Sequence, residues 1–211
     1  MSSSFIRWGG LAAMVGGAMW VVKGGLIMLG GPDPDLFVPA QLFFALGLLG
    51  LHTRLAERGG RLGRIGGFLA YAAVALSMVN VPYSVFFAER GPQTPFPFNV
   101  TYFSASLAIF IGLVFLGIAA LRADVLPGRW RTLPLIVGLS ALLPVWILAF
   151  IHLEAPIVVL GAAWMLLGYV LWSERVCERP GGGRCELLRG RVGPGELGIL
   201  GDSEDWSRAD P

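Results

Sequence analysis

Charged residues are scarce in this sequence of 211 residues. Only 14% of the residues are charged, whereas 55% are hydrophobic and the mean hydropathy is +0.69. Soluble domains carry about a quarter charged residues, so this composition argues against a water-soluble globular protein and indicates that the bilayer is the solvent for most of the chain. The formal net charge of +2 gives no indication of a nucleic-acid partner.

Cysteine and histidine are also scarce, with two residues of each type. Cys177 and Cys185 lie in the polar C-terminal segment at a spacing that fits neither a zinc site nor a CxxC motif, so we expect no structural disulfide and no cofactor. The sequence contains no GxSxG, HExxH or P-loop motif, and its GxGxxG match at 193–198 lies in the polar C-terminal segment without the preceding strand that a dinucleotide-binding site needs. The common hydrolase, metalloprotease, ATPase and dehydrogenase sites are therefore not indicated.

Long apolar segments dominate what is present. Six of them have about the length that crosses a bilayer, and they predict an all-α integral membrane protein. The predicted transmembrane helices span about 8–29, 36–53, 65–87, 99–121, 133–151 and 157–172. Residues 1–7 precede this bundle. The segment 174–211 is rich in glycine, proline and charge and is predicted to be a disordered tail, because it lacks the apolar periodicity of a core.

Arginine residues predict the orientation of the bundle. They fill alternate connections, with Arg54, Arg58, Arg61 and Arg64 in one and three more arginines within 122–131. Short connections rich in basic residues stay in the cytoplasm, so both termini are predicted to be cytoplasmic. The four arginines of 54–64 are also predicted to contact the headgroups of anionic lipids. The excess of arginine over lysine, with abundant glycine and alanine, leads us to expect a bacterial cytoplasmic membrane protein.

Lys23 is the single lysine of the sequence and lies within the first apolar segment. At about 1.5 Å per residue it is about 22 Å from Trp8, in the outer third of a hydrocarbon layer of about 30 Å. Two interpretations remain open. The side chain extends to the outer interface, or it faces inward together with Gly9 and Gly16, which share its helical face. A lysine buried in a membrane bundle is by default a candidate functional residue.

Polar side chains in the outer halves of the neighbouring helices are the predicted partners of Lys23. Their helical spacing places several of them on shared faces. The predicted ligand-binding residues are Lys23, Gln41, Ser77, Asn80, Tyr83, Tyr102 and Ser106. The alternative for each one taken singly is a hydrogen bond between helices without a functional role, worth about 0.6 to 2 kcal/mol.

Acidic residues and a histidine gather in the connections predicted to be outside. Asp33 and Asp35 lie in one connection, and His152 and Glu154 lie in another. Imidazole and carboxylate groups are ligands for metal ions, so these four residues are candidates for a metal site. The alternative is that acidic turns are simply expected on the face from which positive charge is excluded.

Three functions are compatible with this pattern. The first is the binding, as in a transport step, of a small anionic or amphipathic ligand in an outer-side pocket around Lys23. The second is a structural or accessory subunit that packs against partner proteins or against another copy of the chain. The third is a membrane-embedded enzyme that uses Lys23 or the pair of His152 and Glu154. A pocket requires Lys23, Asn80 and Tyr102 to converge on a cavity.

Overall fold

A computed structural model describes residues 3–56, 58–87, 96–123, 126, 128–142, 147, 152 and 154–173. These residues form helices and short turns, and no strand occurs among them. In chain order the helices are α1 (Ser3–Met28), α2 (Phe37–Leu55), α3 (Gly60–Phe87), α4 (Phe96–Ala123), α5 (Leu133–Leu142) and α6 (Ala155–Ser173). A short 3₁₀ helix, Gly128–Thr132, precedes α5.

Five of these helices, all except α5, are long and apolar enough to cross a membrane. Their mean hydropathy runs from 1.2 in α2 to 2.4 in α4. The prediction of an all-helical, multi-pass membrane protein is confirmed at this level. Of the predicted helix 133–151 the structure describes the ten residues of α5 and residue 147, and the predicted tail 174–211 lies outside the described residues.

Most of the long helices extend beyond the predicted apolar segments. The largest differences are at the starts of α1 and α3, each five residues earlier than predicted. Because α3 begins at Gly60, Arg61 and Arg64 lie in its first turns. Arg54 lies in the last turn of α2, and the connection between these helices is therefore only 56–59. Hydropathy identifies only the part of a helix that lies in the hydrocarbon layer. The backbone hydrogen bonds continue into the interface, so the helix is longer than its apolar segment.

Helix α1 lies between α2 and α6 and contacts both through glycine. On the face toward α2, a Cβ atom added at Gly9 would lie only 2.6 Å from the Cα atom of Gly50. On the face toward α6, a Cβ atom added at Gly10 would lie 2.8 Å from the carbonyl oxygen of Gly168. Glycine recurs on this second face every seven residues. Such contacts bring helix backbones together and are the usual source of packing energy where lipid removes the hydrophobic driving force.

Aromatic rings fill the space between α1, α2 and α6. The rings of Phe44 and Trp164 stack with centroids 4.6 Å apart, and Trp20 meets the Phe44 ring edge-on at 5.0 Å. Other large apolar side chains point away from the bundle, among them Phe68 on α3 and Phe103 on α4, which are 73% and 69% exposed. This exterior is compatible with contact to lipid.

Candidate functional site

The side chain of Lys23 is buried, with 2% of its surface exposed. Its ammonium forms an ion pair with the carboxylate of Asp33 and donates a hydrogen bond of 3.1 Å to the carbonyl oxygen of Pro34. The same nitrogen lies 4.3 Å from the centroid of the Phe37 ring, within the range of a cation–π interaction. These contacts all come from residues 33–37, where the α1–α2 connection enters α2.

The end of α1 explains why this connection returns to Lys23. Gly30 has a left-handed φ of +78°, which glycine adopts without steric cost. The amides of Gly30 and Gly31 donate to the carbonyl oxygens of Ile27 and Leu26 at 3.0 and 2.9 Å, the pattern of a Schellman cap. Prolines at 32 and 34 prevent the helix from continuing, so the chain turns back and brings Asp33 over the lysine.

Lys23 therefore faces the bundle, and its ammonium reaches the connection at the end of α1. We predicted Asn80 and Tyr102 as its partners, but the structure places the carboxylate of Asp33 and the carbonyl of Pro34 there. The physical reason is charge. A buried ammonium needs an opposite charge more than it needs a neutral amide or hydroxyl, and Asp33 is within reach on the same connection.

A second cluster, the amide network, joins α2, α3 and α4. Thr101 Oγ1 donates to Asn80 Oδ1 at 2.6 Å, and Asn80 Nδ2 donates to Gln41 Oε1 at 3.2 Å. Gln41 Nε2 in turn donates to Ser106 Oγ at 2.7 Å and to the carbonyl oxygen of Tyr102 at 2.9 Å. Gln41 and Asn80 are almost fully buried. The network satisfies amide groups that would otherwise be costly inside a membrane.

The predicted ligand-binding residues thus fall into two groups. Lys23 belongs to the ion pair with Asp33. The amide network contains the other group, Gln41, Asn80, Tyr102 and Ser106. The Phe37 ring lies between them, because it contacts both the Lys23 ammonium and, at 6.3 Å between centroids, the Tyr102 ring.

Ser77, Tyr83 and Thr101 also carry hydroxyl groups. Ser77 is fully buried, and its hydroxyl has no partner among the described residues. The side chain of Tyr83 lies outside the described residues. Thr101 could not be predicted from the sequence as a member of the network, since a threonine in a helix usually bonds to its own backbone. Its hydroxyl does lie 3.0 Å from the carbonyl oxygen of Phe98 as well.

Replacing Gln41 by leucine is expected to destabilise the protein by about 1 to 2 kcal/mol, because it leaves the amide of Asn80 and the hydroxyl of Ser106 without their partner. Ser77→Ala is the matched control, because it removes a buried hydroxyl that has no partner, and we expect it to be neutral or slightly stabilising. Unfolding of the purified variants in detergent measures both changes. A Gln41 variant as stable as the Ser77 variant would contradict a stabilising role for the network.

The candidate metal ligands do not come together in the structure. Asp33 pairs with Lys23, while the amide of Glu154 donates to His152 Nδ1 at 3.3 Å. No group of three or more His, Cys, Asp or Glu residues placed to hold a metal ion occurs in the described part of the chain. His152 and Glu154 therefore form a local contact at the start of α6, and Asp35 adds no third ligand to it.

The four arginines predicted to contact lipid headgroups lie around the α2–α3 connection. Arg54 is half-buried, whereas Arg58, Arg61 and Arg64 are exposed. Exposed guanidinium groups at the ends of two apolar helices are placed where headgroups lie. Their contact with anionic lipid remains a prediction.

A cavity of about 260 Å³ lies at the other end of α1 from Lys23. It is lined by Ser4, Arg7, Trp8, Leu11 and Trp172. Neither Lys23 nor the amide network belongs to this lining. Because Lys23 is only 2% exposed and its ammonium is paired with Asp33, a ligand at Lys23 requires that the α1–α2 connection move.

The fold defines a multi-pass α-helical membrane protein. None of the protein-family models, curated proteins or solved structures compared with this chain matches it. The function has to be inferred from the side chains that the fold brings together.

Proposed function

We propose that the protein crosses a bacterial cytoplasmic membrane six times, with both termini in the cytoplasm, and binds a small anionic or amphipathic ligand at Lys23 from the outer side, as in a transport step. One observation carries the proposal. The buried ammonium of Lys23 is neutralised by Asp33, whose side chain belongs to a short connection and is 64% exposed. A ligand carboxylate that arrives from the aqueous side can therefore replace Asp33 at the ammonium.

Electrostatics favours the direct exchange of the Asp33 carboxylate for a ligand carboxylate over a state in which Lys23 has no negative partner. An unpaired ammonium in a low-dielectric interior costs several kcal/mol, so Lys23 keeps a negative partner at all times. When the α1–α2 connection moves away, the carboxylate of the ligand takes the position of the Asp33 carboxylate. This requirement makes the site selective for anions.

The surroundings of Lys23 suit an apolar ligand tail. The Phe37 ring packs on the ammonium, the Tyr102 ring lies beyond it, and the Phe98 ring stacks on Tyr102 with centroids 6.1 Å apart. Aromatic faces next to a single buried cation fit a ligand with one anionic group and a short hydrocarbon chain.

Binding of octanoate to the purified protein in neutral-lipid nanodiscs tests this function, with octanol as the uncharged analogue. Asp33→Asn removes the internal competitor and is expected to tighten octanoate binding about tenfold or more, because a charge-assisted hydrogen bond is worth about 1.5 to 3 kcal/mol. Lys23→Met is expected to abolish binding. Asp35→Asn is the matched control and should bind like the wild type. Octanoate binding that survives Lys23→Met would contradict the proposal.

A structural or accessory role is the second candidate, and one observation favours it. The exposed apolar side chains of α3 and α4 form a surface on which a partner protein or another copy of the chain can pack. In this role the ion pair with Asp33 only neutralises Lys23. If the protein has this role, it does not bind octanoate, and Lys23→Met does not change its packing against the partner. The third candidate is an enzyme that uses Lys23, or His152 with Glu154. Among the described contacts, Asp33 is the only acid or base beside the Lys23 ammonium, and His152 and Glu154 contact each other.

The proposed topology is tested by single cysteines in a variant that lacks Cys177 and Cys185. Cysteines at Asp35 and His152 should react with an impermeant thiol reagent added to intact cells, whereas cysteines at Arg58 and Ser173 should react only after the cells are opened. The basis is the arginine distribution. If the Ser173 position reacts from outside while Arg58 does not, the segment that contains α5 does not cross and the count is five.

A further inference from the structure

The cavity at the start of α1 has one charged residue, Arg7, and an apolar wall. The guanidinium of Arg7 lies 5.9 Å from the centroid of the Trp172 ring, which places it against the last turn of α6. No carboxylate of the described residues forms an ion pair with Arg7. Within the described part of the chain, the cavity therefore presents a positive charge without a carboxylate partner, beside apolar surface.

Contact with the Trp172 ring leaves the guanidinium able to bind an oxyanion. A guanidinium that lies against a ring keeps N–H groups on its edge, and these can donate two parallel hydrogen bonds to phosphate. Ser4, in the first turn of α1, lines the cavity, and the N–H groups of a first turn have no partner within the helix. The helix dipole further favours negative charge at this position.

The position of the cavity along the bundle indicates which oxyanion reaches it. It lies where two apolar spans end, α1 at Ser4 and α6 at Ser173. Trp8 and Trp172 are 68% and 42% exposed there, and exposed tryptophans at the ends of spans mark the level of the headgroups. Leu11, one helical turn deeper than Arg7, continues the apolar wall toward the hydrocarbon.

We propose that this cavity binds the phosphate of an anionic phospholipid, with Arg7 on the phosphate and one acyl chain along Leu11 and Trp172. Charge complementarity selects the headgroup, and the apolar wall selects a lipid over a soluble phosphate. The site is at the opposite end of α1 from Lys23. It does not depend on the function proposed for Lys23, and either one can fail without the other.

The test uses the full-length protein in neutral detergent and measures binding of dioleoyl-phosphatidylglycerol and dioleoyl-phosphatidylcholine by native mass spectrometry. We expect tighter binding of the phosphatidylglycerol, and a loss of about tenfold in Arg7→Gln. Leu11→Trp fills the cavity while it keeps the charge, and should weaken binding as well. Arg122→Gln, which removes an equal charge at the end of α4, is the matched control and should leave binding unchanged.

Three outcomes would overturn the proposal. Equal losses in Arg7→Gln and Arg122→Gln would mean that diffuse surface charge holds the lipid. Unchanged binding in Leu11→Trp would place the lipid outside the cavity. Displacement of the phosphatidylglycerol by free glycerol phosphate at millimolar concentration would identify a soluble phosphate as the ligand. The thermal unfolding temperature of each variant without added lipid confirms that the protein is folded.

Discussion

Replacing Gly17 by alanine is expected to lower the free energy of unfolding by about 1 to 3 kcal/mol, the cost of overpacking a close contact. The added methyl group would overlap the carbonyl oxygen of Gly161 and lie 2.8 Å from the amide nitrogen of Met165. Both are backbone atoms, so no side chain can rotate away and α1 must separate from α6. Unfolding of the purified protein in mixed detergent measures the change.

Gly25→Ala, in the same helix, is the control for this prediction. A Cβ atom added at Gly25 meets nothing within 4 Å, so alanine gains helix propensity there, worth about 0.5 to 1 kcal/mol, without a clash. The two substitutions should therefore change stability in opposite directions. If both variants are equally stable, the contact between α1 and α6 is not as close as the structure shows.

Asp33→Asn is expected to destabilise the protein by about 1 to 3 kcal/mol, because it leaves the buried ammonium of Lys23 without its counter-ion. Lys23→Met is expected to be close to neutral. This substitution removes the ammonium and leaves the Asp33 carboxylate in contact with water, since the side chain of Asp33 is 64% exposed and that of Lys23 only 2%. The asymmetry follows from which partner is buried.

The double variant Lys23→Met with Asp33→Asn tests this asymmetry. It should recover most of the stability lost in Asp33→Asn, because no buried charge remains. Asp35→Asn should unfold like the wild type. A double variant whose loss equals the sum of the two single losses would show that the ion pair adds no coupling energy.

Hydropathy was sufficient to predict the fold class and the approximate position of the long helices. Length and apolar composition decide whether a segment can satisfy its backbone inside a bilayer, and both can be read from the sequence. The helix ends could not be read in this way. Arg61 and Arg64 appeared to belong to a loop because they are charged, yet a helix end that is exposed to water can carry charged side chains.

Some of the residues that the structure brings into contact could be selected from the sequence. Lys23 stood out as a single charge in an apolar segment, and Gln41, Asn80 and Ser106 stood out as polar residues in the outer halves of helices. Their partners depend on geometry that composition does not contain. The cap at Gly30 turns the chain back and brings Asp33 to Lys23. The packing of α2 against α3 and α4 places the amides of Gln41 and Asn80 in contact with each other rather than with Lys23.

We propose that a ligand anion binds by exchange with Asp33 at the ammonium of Lys23. The most direct test of this exchange is the rate at which a water-soluble amine reagent, added to intact cells, labels the single lysine, followed at the level of the peptide that contains Lys23. We expect slow labelling of the wild type and of Asp35→Asn, faster labelling of Asp33→Asn, and a return to slow labelling when octanoate is added to Asp33→Asn. Rapid labelling of the wild type that octanoate does not slow would place the lysine at the interface without a ligand and contradict the claim.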